Sequence, residues 1–225
     1  MLLSYFLLLQ PGVLFDQLGS TRSAWSVSTY GLPWSPTPIP SADDFVVPGG
    51  ETWSLAALQL DAMHSTDCRT KESHAPAGVL RLYQDQAGLP GTLLVEESVS
   101  LFPHGPQMGL NLRAPLRLGP GHYWISLCVQ SRYGCVWRWY TADAANNYQP
   151  FVQQMFGTWQ SCQPSPGGGV VCDGDNTAAH HDLSFALLNA PLLEPVPTLK
   201  PLPLLLMTLL LLADALTLGR RKGRC

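Results

Sequence analysis

Apolar and polar positions alternate with a period of two along 123–130. Tyr123, Ile125, Leu127 and Val129 fall on one side, and Trp124, Ser126, Cys128 and Gln130 on the other. Successive side chains of a strand point to opposite faces, so this pattern predicts a half-buried β-strand. Leu93, Val95, Val99 and Leu101 repeat the pattern, with Glu97 interrupting it. Short apolar runs at 44–47, 53–63, 78–84, 110–118, 135–141, 151–156 and 183–188 add further strands. The turns between them combine a fixed φ with residues that tolerate positive φ: Pro48-Gly49-Gly50, Ala87-Gly88-Leu89-Pro90-Gly91 and Gly119-Pro120-Gly121. No stretch of 25–189 sustains a helical period. Many short strands separated by such turns predict an all-β fold, an antiparallel β-sandwich of jelly-roll-like topology over 20–189.

Both ends depart from this pattern. Residues 1–9 have the apolar density of a signal-peptide core, with no preceding Lys or Arg and no following Ala-x-Ala. They predict a degenerate or truncated leader over 1–19. Pro191, Pro195, Pro197 and Pro201 stiffen 190–201 into an extended linker. Leu202 opens a leucine-rich run that ends at Leu218, and Arg220, Arg221, Lys222 and Arg224 follow in a basic tail over 219–225. Seventeen apolar-rich residues suffice for a C-terminal transmembrane helix over 202–218, and the basic tail places its end in the cytoplasm. Asp214 lies near the end of the run and close to those cations, so it costs less than the roughly 2.5–3.5 kcal/mol of a carboxylate at the bilayer centre. The sandwich is then expected outside an inner membrane, with the membrane itself as a partner.

Val196-Pro197-Thr198-Leu199, followed by a leucine-rich span and an arginine-rich tail, resembles the IPTL-CTERM sorting signal of Gram-negative bacteria. That resemblance implies an exported chain held by its span and cut near the motif by a processing protease of the exosortase type. Release to the outer surface or extracellular matrix would follow. Where the family carries a polar pair and Trp-Gly, this chain has Lys200, Pro201, Leu202 and Pro203. Further upstream stand 42–48, Trp53, Tyr83-Gln84-Asp85, 88–91, Gly121-His122-Tyr123-Trp124-Ile125 and Asp182-Leu183-Ser184-Phe185. Together they resemble an exported bacterial β-sandwich domain of no established activity.

Charge narrows the picture further. Charged residues make up 13% of the chain and the formal net charge is −3, so no basic excess exists to neutralise a phosphate backbone, and nucleic acid is not an expected partner. Six cysteines in an exported chain are first read as disulfide candidates. Cys128 and Cys135 flank a turn, Cys162 and Cys172 bracket a Pro- and Gly-rich loop, Cys68 is left over, and Cys225 lies beyond the span. Their spacing does not fit zinc knuckles. Asp173-Gly174-Asp175-Asn176, near His180 and His181, lacks the Gly and Glu positions of a calcium loop and reads as a turn.

No Gly-x-Ser-x-Gly elbow, His-Glu-x-x-His helix or phosphate loop occurs, so no catalytic residue, cofactor or metal is expected. Seven tryptophans include Trp137 and Trp139, which share one face of a predicted strand as a ligand platform or as core. The expected function is a non-catalytic envelope or extracellular-matrix protein. The alternative is a carbohydrate-binding surface module with polysaccharide as its partner.

Overall fold

The computed structural model describes residues 12–19, 25–30, 37–64, 76–130, 137–142, 151–155, 157–164, 170–171 and 182–193. Among them all regular structure is β, and there is no helix. The strands are β1 (Val13–Asp16), β2 (Trp25–Val27), β3 (Thr29–Tyr30), β4 (Ser41–Val47), β5 (Trp53–Leu60), β6 (Ala62–His64), β7 (Ala77–Asp85) and β8 (Pro90–His104). They continue as β9 (Gln107–Leu118), β10 (Gly121–Gln130), β11 (Trp137–Tyr140), β12 (Val152–Met155), β13 (Thr158–Ser161), β14 (Gln163–Pro164), β15 (Val170–Val171) and β16 (Phe185–Leu188). Each run expected from the sequence overlaps one of these strands, and 53–63 divides at Asp61 into β5 and β6.

The main sheet follows the order β1-β16-β5-β9-β8-β7-β10-β4-β12-β13. β8 holds it together: Pro90 to Ser100 pair with β7, while Leu101 to His104 pair with β9. The strand thereby passes from one layer to the other. All pairings are antiparallel apart from β3, which lies parallel to the end of β10. One continuous core takes Phe45, Val47, Leu80, Leu82, Ile125 and Leu127 from β4, β7 and β10, and Leu58, Leu60, Leu110, Phe185 and Leu187 from β5, β9 and β16. Inward-facing residues of two antiparallel layers meeting in one core make the fold β-sandwich-like.

Aromatic rings bind the layers at one place. Phe45 stacks on Trp53 with ring centroids 6.0 Å apart and on Tyr123 at 5.7 Å, and Phe15 lies 5.2 Å from Phe185. Such pairs add about 0.5–1.5 kcal/mol beyond the area that they bury.

Two expectations need correction. The alternation in β10 predicted one wet face, yet every residue from Trp124 to Val129 is buried. The outer face is covered by Ala42, Val152, Tyr83, Leu89 and Trp159, which cluster around Trp124. The leader expected over 1–19 also overlaps the fold, because β1 pairs with β16 as an edge strand of the main sheet. Gln17 is buried just beyond it and donates from Nε2 to Asp43 Oδ2 (2.8 Å) and to the Leu183 carbonyl (2.7 Å). Residues 13–17 are therefore part of the sandwich. Their short apolar run merged, in the linear pattern, with the leucines before it.

The β7–β8 turn shows how local chemistry closes a hairpin. Gln86 and Leu89 exchange backbone hydrogen bonds of 2.9 and 3.3 Å across Ala87 (φ 56°) and Gly88 (φ 79°). Two central residues at positive φ define the turn that matches strand twist; Gly suits it and Ala does not.

Candidate functional site

The sorting motif and membrane span expected from the sequence follow the sandwich, so the end of the described fold is taken first. β16 ends at Leu188. There Asn189 accepts from the Gly12 amide through Oδ1 (2.7 Å) and donates its own amide to the Gly12 carbonyl (3.0 Å). The linker expected from 190 does not begin freely. Asn111 of β9 donates from Nδ2 to the Leu192 carbonyl (3.0 Å) and accepts the Leu192 amide through Oδ1 (2.7 Å).

The Leu192 side chain is buried with Ala57, Phe102 and Leu188 in a small apolar cluster apart from the main core. Gly109 makes room for it, since a β-carbon there would lie 2.8 Å from Leu192 Cδ1 and 2.9 Å from Phe102 Cε2. Asn111 pairs with Ala57 at the point where the β5–β9 register shifts to Leu55–Leu116.

A second polar constellation lies on the outer side of β4, β7 and β10. His122 Nε2 hydrogen-bonds to Asp44 Oδ2, and Nδ1 lies 3.5 Å from Asp85 Oδ1. Trp124 donates from Nε1 to the same Asp85 oxygen at 2.8 Å, and its ring stacks near the imidazole with centroids 6.1 Å apart. Asp44 is 2% exposed, whereas His122 and Asp85 are 27% and 20% exposed. The arrangement ties three adjacent strands through one half-exposed ring. Among the described residues no group of three His, Cys, Asp or Glu side chains could hold a metal ion.

The interior carries an unusual carboxyl. Asp43 of β4 is fully buried and accepts from Gln17, from the Leu183 amide (2.5 Å) and, through Oδ1, from the Asp44 amide (3.0 Å). Burial first, then the nearby Asp182 and Asp44 carboxyls, raise its pKa well above the ordinary 3.8, against the pull of the Leu183 and Asp44 amides.

The sites expected from sequence fall out unevenly. Trp137 and Trp139 do share a face, but it is the inner one. Both are fully buried in the main core; Trp139 meets Phe185 edge-on at 5.9 Å and donates to the Ser184 carbonyl at 3.0 Å. Neither ring is offered to a ligand, because both pack inside the main core.

Cys128 is a buried free thiol, so the bridge expected between Cys128 and Cys135 is not formed. Its side chain falls on the covered outer face of β10, and burial pushes its pKa up to about 12 despite the nearby Arg81. Cys162 is disulfide-bonded, and its partner lies outside the described residues, as do Cys68, Cys135, Cys172 and Cys225. Val196, Pro197, Thr198 and Leu199, the run from Leu202 to Leu218, and Arg220, Arg221, Lys222 and Arg224 also lie outside them. Among the described residues no helix is long and apolar enough to cross a membrane.

Sequence reasoning missed His122, Asp44 and Asp85 as a group, and Asn111 altogether. His122 and Asp85 stood within runs noted only for their family resemblance. No family model matches the chain, and no curated protein matches it.

Proposed function

We propose that this chain is a non-catalytic protein of the cell envelope or extracellular matrix. In this reading a jelly-roll-like sandwich is exported, tethered by a membrane helix over 202–218, and processed at Val196-Pro197-Thr198-Leu199. The observation that carries it is the position of the boundary between the chain's two units, Met1–Glu194 and Pro195–Cys225. The described fold runs to Leu193, with two residues between it and the motif, and a processing enzyme needs backbone free of a sheet. A disulfide at Cys162 suits the oxidising side of a membrane. The polysaccharide-binding alternative keeps no platform at Trp137 or Trp139.

Intact mass of the chain recovered from the envelope of its own host tests the reading. The wild type is expected to end close to Thr198, and a Pro197→Ala, Thr198→Ala variant to remain full-length. A wild-type mass running through Cys225 would overturn processing and leave a permanent anchor.

A further inference from the structure

The outer face of β4, β7 and β10 is covered in a way that strand order alone does not give. β13 stands four strands from β7 in the main sheet. At about 4.8 Å between neighbouring strands, a flat sheet would hold Trp159 roughly 19 Å from Tyr83. Their ring centroids lie 5.8 Å apart, edge to face. The β12–β13 hairpin therefore bends over the outer face, and Trp159, Tyr83 and Leu89 pack against Trp124, Ala42 and Val152. The overlying three are each only partly buried, and Leu93, opposite Tyr83 on β8, is 47% exposed.

The half-exposed polar group borders this apolar strip. Asp85 lies two residues along β7 from Tyr83, on the same face and roughly 6.6 Å away. Its carboxylate is held by the Trp124 indole and, at 3.3 Å, by the Gly88 amide. The His122 ring lies between Asp85 and Asp44, so neither carboxylate stands as an isolated charge. Partly exposed rings under a bent hairpin, beside a few fixed polar side chains, have the make-up of a ligand site.

We propose that this strip binds a neutral polysaccharide. The apolar face of a sugar ring lies against Tyr83, Trp159 and Leu93, whose surfaces are apolar and already ordered by packing. Its hydroxyls donate to the lone pairs of Asp85 and exchange hydrogen bonds with the imidazole of His122. A polyanion would meet two carboxylates, and a cationic group would find Asp85 already engaged by Trp124, Gly88 and His122. The inference goes beyond the processing reading and stands without it, since a tethered and a released chain carry the same face.

Native affinity electrophoresis of the full chain in mild detergent tests it, in gels containing galactomannan, mixed-linkage β-glucan or arabinoxylan. The wild type should be retarded by at least one of them in proportion to its concentration. Trp159→Ala and Asp85→Asn should lose that retardation several-fold, and Trp159→Phe should keep most of it. Urea midpoints establish that each variant is folded, and Leu93→Asp, at an exposed position, supplies the comparison should Trp159→Ala fail to fold. No retardation of the wild type by any of the three polysaccharides overturns the proposal. Equal retardation of wild type and folded variants overturns it as well. So does retardation by chitosan alone that salt abolishes, which would make the strip a cation site.

Discussion

Replacing Asp43 with Asn tests the buried carboxyl through the pH dependence of stability. Burial, Asp182 and Asp44 raise the pKa of this group in the folded chain, so the folded state holds the proton more tightly than the unfolded state does. Below the ordinary value of 3.8 both states are protonated and the contribution is constant. Above it the unfolded chain releases the proton first, the folded state binds more protons, and stability falls as pH rises toward the folded value. The slope from one such group approaches about 1.4 kcal/mol per pH unit.

Asn cannot ionise, so this slope disappears. Its carbonyl oxygen can still accept from Gln17 and Leu183, but its amide group then faces the Asp44 amide across the present 3.0 Å bond, and one hydrogen bond is lost. That costs about 1 kcal/mol. The variant should be less stable than wild type near pH 4 and should draw level or overtake it by pH 7. Urea unfolding of the full chain in mild detergent, followed by tryptophan fluorescence at half-unit pH steps, reads the difference. Parallel profiles, or a wild type that gains on the variant as pH rises, would refute the assignment.

Ala87 occupies a positive φ of 56° in the β7–β8 turn, so Ala87→Asn should raise stability by about 0.5–1 kcal/mol, read as a higher urea midpoint with an unchanged slope. Trp139→Ala should cost about 3–5 kcal/mol as a core truncation; a near-neutral effect would show that the ring is not core. Iodoacetamide should leave Cys128 unmodified in the native chain at pH 8 and label it after unfolding, since burial pushes the thiol up to about 12; rapid native labelling would contradict that burial. Cys162 is disulfide-bonded and, with Cys172, brackets a Pro- and Gly-rich loop in the sequence. Non-reducing peptide mapping should recover Cys162 joined to Cys172, and a link to Cys68 or Cys135 would exclude that pairing.

What could be read from the sequence divides by range. Strands such as β7, β9 and β10 announce themselves through alternation and flanking turns, both local signals. The two-sided burial of β10 does not, because its cover comes from Trp159 on β13 and Leu89 in a turn, residues remote from it in the chain. Alternation places Trp137 and Trp139 on one face but does not say which face is inward; the packing of that face into the main core, with Trp139 against Phe185, decides that. His122 meets an aspartate 78 residues away, and Asn111 meets Leu192 across 81. Contacts of that kind depend on strand order, which no local pattern encodes.

The pairing of β1 with β16 has a consequence for the order of assembly. Gly12 and Asn189, which close that pair, are 177 residues apart. A chain made from its N-terminus first can zip β7 to β8 and β8 to β9 as soon as those hairpins emerge, because closing short loops costs little entropy. β1 must wait for almost the whole domain, and until β16 arrives β5 also lacks one of its two neighbours. The unfinished sheet therefore presents open hydrogen-bonding edges late in synthesis, the condition under which β-rich chains pair with the wrong partner. Among the described residues, the last strand to be made is the one that seals the first.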